Sequence, residues 1–281
     1  MNFDINCIKS LFLTQSWYFF NDMLQGKKIV IIGGTTGLGL SAAKAFVKNG
    51  AQLIAVGRNP ESCDQAGQIL GQNTRVLAAD AIKPETAQKA VELCISEFGD
   101  FDGLYHVAGG SGRRFGDGPL HELTLEGWQK TFDLNLTSLM LSNQAAVKKF
   151  LELKKGGSIL NMSSVLSFSP SPAYFTTHAY AAAKSAVTGF TKALASYYAK
   201  DNIRINILAP ALVETPMSQR ASQDEQIMEF IKTKQPLDGG RNGKPEDLDG
   251  AAVYFMSDAS SFTTGQTLYV DGGWELSEGQ L

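Results

Sequence analysis

Cysteine is scarce in this chain: only 3 of 281 residues, and Cys7, Cys63 and Cys94 lie far apart. That number and spacing exclude a disulfide framework and a thiolate metal site. They suit a reducing compartment, so a cytoplasmic location is expected and no metal is. Net charge is also small, with 25 Lys and Arg against 28 Asp and Glu for a formal −3. No basic run or stripe is present, so neither a nucleic acid nor a membrane surface is an expected partner. Near the N-terminus the uncharged run from Ser10 to Asn21 falls short of the roughly 20 apolar residues that span a bilayer. It has neither a basic n-region nor a small-x-small cleavage site, which makes it a poor signal peptide. Residues 1–24 are therefore expected to be a peripheral extension packing on the body or on a partner subunit. The other reading takes Met23 as the natural start, since MLQGKKIVIIGG opens directly into a strand. What the chain does have is 43% hydrophobic and 19% charged residues, ordinary for a soluble protein with a substantial core.

From Lys27 onward, apolar β-branched runs alternate with amphipathic stretches. KIVIIGG is a continuous apolar run ending in glycines, expected as a strand buried on both faces. Further strands are expected in AQLIAVG, TRVLAAD, FDGLYHVAGG, GGSILNMSS, IRINILAP and GQTLYVDGG. Helices are expected over 38–49, 61–70 and 84–97, in PEDLDGAAVYFMSD, and as one long helix in GWQKTFDLNLTSLMLSNQAAVKKFLE. The Ala-rich, Pro-free run HAYAAAKSAVTGFTKALASYYA is a further helix. About seven strands alternating with helices predict an α/β fold, an open parallel sheet with right-handed crossovers. No repeat, low-complexity segment or linker interrupts 27–273, so one domain over 25–281 is expected.

The first strand–helix turn reads IIGGTTGLGLSAAKAF, with Gly33, Gly37 and Gly39 in G-x-x-x-G-x-G spacing. Glycine there lets the chain turn tightly and approach a pyrophosphate closely. The following helix N-terminus offers free N–H groups to the phosphates. The second strand ends in AVGRNPE, where NAD-preferring dinucleotide folds place an acidic side chain on the ribose hydroxyls. Gly57 stands there and Arg58 follows, which suits a ribose 2′-phosphate and favours NADP(H), with NAD(H) the alternative. The other reading of Arg58 is a solvated loop arginine. Asp80 could accept a bond from the adenine amino group, or cap a helix. Downstream, Tyr180 and Lys184 stand one helical turn apart on one face. An ammonium beside a phenol favours the phenolate, which fits the tyrosine for general acid–base work. The spacing alone is equally that of an aromatic contact beside a solvated lysine.

Taken in order, GGTTGLG, HVAG, Asn135 in DLNLTS, NMSS with Ser164, YAAAK and TGQTLYVDGG resemble the short-chain dehydrogenase/reductase family, in its shorter, single-domain branch. The likeness runs from Lys27 to Trp274. It implies a Rossmann-type doubly wound parallel sheet with helices on both faces, an NAD(P)-dependent oxidoreductase interconverting a carbonyl and a secondary alcohol, and a homotetramer or homodimer. Residue by residue, it implies that Tyr180 is the acid/base and that Lys184 lowers its pKa and bonds the nicotinamide ribose. Ser164 would bond the substrate oxygen, with Ser163 the fallback, and Asn135 would hold a water linking Lys184 to solvent. Gly33, Thr35, Gly37, Leu38, Gly39, Arg58, Asp80, Ala108 and Gly109 would line the cofactor. Pro210, Val213 and Thr215 would meet its nicotinamide end.

Some positions depart from the family pattern. Ile32 stands where a Thr is usual, His106 and Val107 replace two asparagines, and Ala211 replaces a Gly. Ser164 lies sixteen positions before Tyr180, a few more than is common, and the extra residues fall in SPSPAYFTTH beside the substrate. Arg113 and Arg114 are candidate anchors for a carboxylate or phosphate, or pair with Asp117, or face water. Phe175 and Met217 are further candidate substrate contacts. His178 is expected in a loop, with a structural hydrogen bond or a second acid/base role. The segment 215–244, with Met217, Ile227, Met228, Phe230 and Ile231, is either a mobile lid or a helix packed on the body. The small residues Ala182, Ala186, Gly189 and Ala193 suit close packing between subunits or within one. Two rival functions stay open: an enoyl reductase of the same family, and a non-catalytic NADP-binding scaffold or redox sensor.

Overall fold

The computed structural model describes residues 22–279. Its centre is a parallel sheet of seven strands in the order β3-β2-β1-β4-β5-β6-β7. The strands are β1 (Lys28–Ile32), β2 (Gln52–Gly57), β3 (Thr74–Ala78), β4 (Gly103–His106), β5 (Gly157–Met162), β6 (Ile203–Pro210) and β7 (Thr267–Val270). The helices are α1 (Gly37–Lys48), α2 (Pro60–Leu70), α3 (Pro84–Phe98), α4 (Leu125–Phe132), α5 (Ser138–Leu153), α6 (His178–Tyr198), α7 (Gln219–Ser222), α8 (Glu225–Lys234) and α9 (Asp249–Met256).

Alternation along the strands builds two cores. Ile29 and Ile31 of β1 and Leu53 and Ala55 of β2 join Ala43 and Phe46 of α1 and Ala252 of α9 on one face. Val30, Ile32, Ile54 and Val56 meet Val91 of α3, Phe150 of α5 and Ala195 of α6 on the other. A strand buried on both faces must be apolar at every position, which explains the unbroken run in β1. Helix starts follow local chemistry: Pro60 and Pro84 fill first-turn positions whose N–H has no helical partner, and the Asn59 side chain accepts from Ser62 N.

Two expectations change here. The stretch expected as one long helix is broken into α4 and α5 by a π-turn, Asp133–Thr137, centred on Asn135. The expected extension 1–24 is described only from residue 22. Leu24, counted within it, is fully buried in the β1 core and bonds Asn49 O through its N–H. Residues 1–21 lie outside the described residues.

The chain winds outward from β1 to β3 and then returns to place β4 on the other side of β1. That reversal opens a crevice beyond the C-terminal ends of β1 and β4, where open α/β sheets hold their ligands.

Candidate active site

The crevice is floored by the turn after β1. A Cβ on Gly33 would stand 2.6 Å from Ala108 N after β4, and one on Gly39 would collide with Gly33 O. Both positions therefore require glycine. At the start of α1, Thr36 makes no side-chain cap and the first turn holds no acidic residue, so free N–H groups face the crevice with nothing to repel an anion. Thr215 arrives from the far side: a Cβ on Gly37 would lie 3.4 Å from its Cγ2. Val213 is buried and bridges to Gly243, and Pro210 ends β6.

At the end of β2, any side chain on Gly57 would collide with Thr35 Oγ1. The acidic residue of NAD-preferring folds thus has no room here. Arg58 beside it is exposed and, among the described residues, pairs with no carboxylate within 4.0 Å. Asp80 does not cap α3, whose N-cap is Lys83; one of its carboxylate oxygens accepts Ile82 N at 3.2 Å in a local turn. A dinucleotide therefore fits the residues present.

Four side chains gather where β4 and β5 end. A Cβ on Gly109 would lie 2.7 Å from Asn135 Oδ1 and 3.6 Å from Lys184 Nζ, which fixes these three within reach of one another. Asn135 is fully buried: Oδ1 accepts Gly110 N at 3.1 Å, and Nδ2 donates to Gly110 O and Thr131 O, both at 2.8 Å. The side chain thus clamps the β4 loop and satisfies a helical carbonyl at the π-turn. Lys184 is 3% exposed, and its Nζ donates to Met162 O at 2.9 Å and lies 5.7 Å from the centre of the Tyr180 ring. Ser163 Oγ donates to Lys184 O at 3.0 Å, which removes it as a fallback. Ser164 Oγ accepts Leu166 N at 3.2 Å, so its proton stays free for Tyr180 or a substrate.

The mouth is built by three segments. Arg113 Nη2 donates to Tyr174 O at 3.3 Å, tying the β4 loop to the loop that follows Ser164. Arg114 instead lies over Phe115, 4.7 Å from the ring centre. Phe175 packs edge-on against Trp274 at 5.8 Å, and Met217 is 53% exposed. In α8, Ile227 and Ile231 are buried with Val165 and Trp274, so this helix is seated on the body in the structure described. His178 does not lie in a loop; it opens α6 and is exposed.

Residues 33–275 match the family model described as Enoyl-(Acyl carrier protein) reductase. The chain is 33% identical over 252 residues to the 2-dehydro-3-deoxy-D-gluconate 5-dehydrogenase of Dickeya dadantii, covering 89% of this chain and 96% of that one. It is 33% identical over 257 residues to the 3-oxoacyl-[acyl-carrier-protein] reductase of Chlamydia muridarum, covering 90% and 99%. A short-chain type dehydrogenase/reductase from Mycobacterium ulcerans superimposes with a TM-score of 0.83 at 29% identity, covering 90% and 91%. The chain belongs to the short-chain dehydrogenase/reductase family. It is an oxidoreductase, of a family that binds NAD(P)(H). Among the described residues, no helix is long and apolar enough to cross a membrane.

The electrostatics of this dehydrogenase/reductase differ from expectation at one point. Burial pushes the Tyr180 phenol up to about 12, and the pull downward comes from the Ser164 hydroxyl rather than from Lys184. Burial also pushes Lys184 down from 10.5 to about 8. A lysine with a depressed folded pKa binds its proton more weakly folded than unfolded. Its charge therefore costs stability below about pH 8, and the cost is relieved as pH rises from 8 toward 10.5. In denaturant titrations across that window, the wild-type chain should gain stability relative to Lys184→Met. Parallel curves would contradict the burial argument.

Sequence reasoning missed three structural residues here. Trp274 is 1% exposed, donates to Ser169 O, and closes the aromatic cluster under Phe175 and Phe230. Gln235 is 2% exposed; its Oε1 accepts Leu212 N at 2.8 Å and its Nε2 donates to Leu212 O at 3.3 Å, pinning the loop that carries Val213 and Thr215. Asp117, in the β4 loop, meets the N-terminus of α6. Each acts on a partner distant in sequence, and a lone Trp, Gln or Asp carries no signal of such a partner.

Proposed function

We propose that this chain interconverts a carbonyl and a secondary alcohol with NADP(H), using Tyr180 as the acid/base. The observation that carries the reading is the convergence of Ser164, Tyr180 and Lys184 beside Gly109 and Asn135, next to a glycine turn shaped for phosphates. When bound, the nicotinamide supplies or accepts the hydride. In the reductive direction Ser164 and Tyr180 hold the substrate oxygen, and Tyr180 donates its proton as negative charge develops there. A phenol held at about 12 is protonated at neutral pH and ready to donate. Lys184, charged below about pH 8, then favours the phenolate left behind.

The preference for NADP(H) rests on Arg58, exposed and without a carboxylate partner, and on the closure of Gly57 by Thr35. Asp80 has a carboxylate oxygen left for an adenine amino group. Pro210, Val213 and Thr215 are assigned to the nicotinamide end, with Leu38, Ala108 and Gly109 along the crevice. Residues 25–281 are read as one catalytic domain, with Leu24 packed into its core. On α6, Ala182 and Ala186 are half-buried while Gly189 and Ala193 are exposed. Small residues left exposed at the C-terminal end of this strip suit close packing against a second copy, which supports a homotetramer or homodimer.

On the substrate side Arg113 is the anchor of choice, with Phe175 and Met217 around it. Burial and the charge of nearby Arg220 both lower the Arg113 pKa, against the pull of Asp117. Two guanidiniums placed so would welcome a carboxylate or phosphate between them. The enoyl reading has the printed description of the matching family model in its favour. Relatives named for alcohol or ketone chemistry, such as the 3beta-hydroxysteroid dehydrogenase 1 of Eggerthella lenta at 33% identity, favour the carbonyl reading. A scaffold would need only the glycine turn, not the four-residue set.

The test is NADPH absorbance against a panel of ketones, oxo sugar acids, steroids and acyl thioesters. Turnover is expected with at least one carbonyl. If that substrate is anionic, Arg113→Ala should raise its KM about tenfold or more and leave neutral analogues unaffected. Tight NADPH binding with no turnover anywhere would favour the scaffold.

A further inference from the structure

The helix that carries Tyr180 starts without a cap of its own. Its N-cap residue Thr177 makes no side-chain hydrogen bond, and its first turn has no acidic residue. The first N–H groups of a helix have no internal partner, and the first turn is where helices fray. Tyr180 is the third residue of α6, so its backbone lies in that vulnerable turn.

The missing acceptor comes from 62 positions away. Asp117, 4% exposed, accepts Ala179 N on Oδ1 at 2.9 Å and Tyr180 N on Oδ2 at 3.0 Å. Its carboxylate has no ion-pair partner within 4.0 Å among the described residues. The loop that presents it is held firmly. Asp117 N donates to Gly112 O at 3.2 Å, Thr124 N donates to Gly116 O at 3.2 Å, and a Cβ on Gly127 of α4 would stand 2.5 Å from Gly116 C. Any side chain on Gly112 would collide with Thr131, one turn before Asn135. The support thus runs from α4 through the β4 loop to the backbone of Tyr180.

We infer that Asp117 is a positioning residue for Tyr180, holding the first turn of α6 by its two backbone hydrogen bonds so that the phenol stays in reach of Ser164 and the substrate oxygen. A catalytic group displaced by about 1 Å can lose on the order of a hundredfold in rate. Two carboxylate hydrogen bonds on consecutive N–H groups fix the turn in both translation and rotation. The same loop carries Arg113, so substrate anchor and proton donor share one support. The role of Asp117 rests on the reading of Tyr180 as the acid/base.

The experiment compares Asp117→Ala and Asp117→Asn with wild type in three readouts: amide hydrogen exchange at Ala179 and Tyr180, NADPH binding, and kcat and KM with the fastest carbonyl of the panel. In Asp117→Ala, exchange at both amides should rise about tenfold or more, as local opening becomes easier. The value of kcat should fall about tenfold to a hundredfold, with KM and NADPH affinity within about threefold of wild type. Asp117→Asn keeps one acceptor oxygen and should recover part of the loss. Unchanged exchange in Asp117→Ala overturns the inference with no substrate needed. Faster exchange with unchanged kcat overturns it too, since the carboxylate is then only a helix cap. If Asp117→Ala does not fold, Asp117→Asn decides: a severalfold fall in kcat at constant KM supports the role, and wild-type kcat overturns it. Failure of the acid/base reading itself would show separately, as turnover retained by Tyr180→Phe.

Discussion

Tyr180→Phe should lower kcat by about a hundredfold to ten-thousandfold, the usual range for removing a positioned acid/base. NADPH binding should stay within about threefold of wild type. The substitution removes one oxygen from a half-buried ring and leaves the helix and the Lys184 contact to Met162 O in place. The phosphate turn at Gly33–Gly39 and Arg58 lie on other elements, so they do not feel the change. Burial raises the phenol pKa and the Ser164 hydroxyl lowers it. Ser164→Ala should therefore also cost rate, and the losses of the two single variants should not add in the double variant. Retained turnover in Tyr180→Phe would remove the tyrosine from the chemistry.

Arg58→Ala should weaken NADPH binding about tenfold to a hundredfold and leave NADH nearly unchanged, because a charge-assisted contact to a phosphate is lost for one dinucleotide only. The exposure of Arg58 and its lack of a carboxylate partner make that contact available. Gly57→Asp alone should not convert the preference to NADH. Its Cβ would collide with Thr35 Oγ1, so binding of both dinucleotides should suffer. Relieving the collision with Thr35→Gly in the same chain should restore NADH binding first. Equal losses for the two dinucleotides in Arg58→Ala would refute the 2′-phosphate contact.

Much of this was legible in the sequence because the relevant chemistry is local. The glycine turn declares itself by spacing between an apolar strand and a helix. Tyr180 and Lys184 share a helix face, and β1 is apolar from Ile29 through Ile32 because both its faces are buried there. What stayed hidden depends on partners far along the chain. The π-turn at 133–137 has no composition of its own; it accompanies a buried Asn135 bonded to both polar groups of Gly110. In the sequence Asp117 offers itself only as a partner for Arg113 or Arg114, and only the fold shows that it caps α6. The electrostatic reading failed for a similar reason. Spacing shows that Lys184 is near Tyr180, but not that Lys184 is buried and the phenol desolvated enough for desolvation to outweigh their mutual effect.

The most direct test of the central claim is the fate of a deuterium carried on the transferring position of NADPH. With the carbonyl substrate that turns over fastest, the label is predicted on the carbinol carbon of a newly formed secondary alcohol, and Tyr180→Phe should abolish its transfer. A label found instead on the carbon β to a retained carbonyl, as conjugate reduction of a C=C would leave it, or no transfer from tightly bound NADPH to any carbonyl, would contradict it.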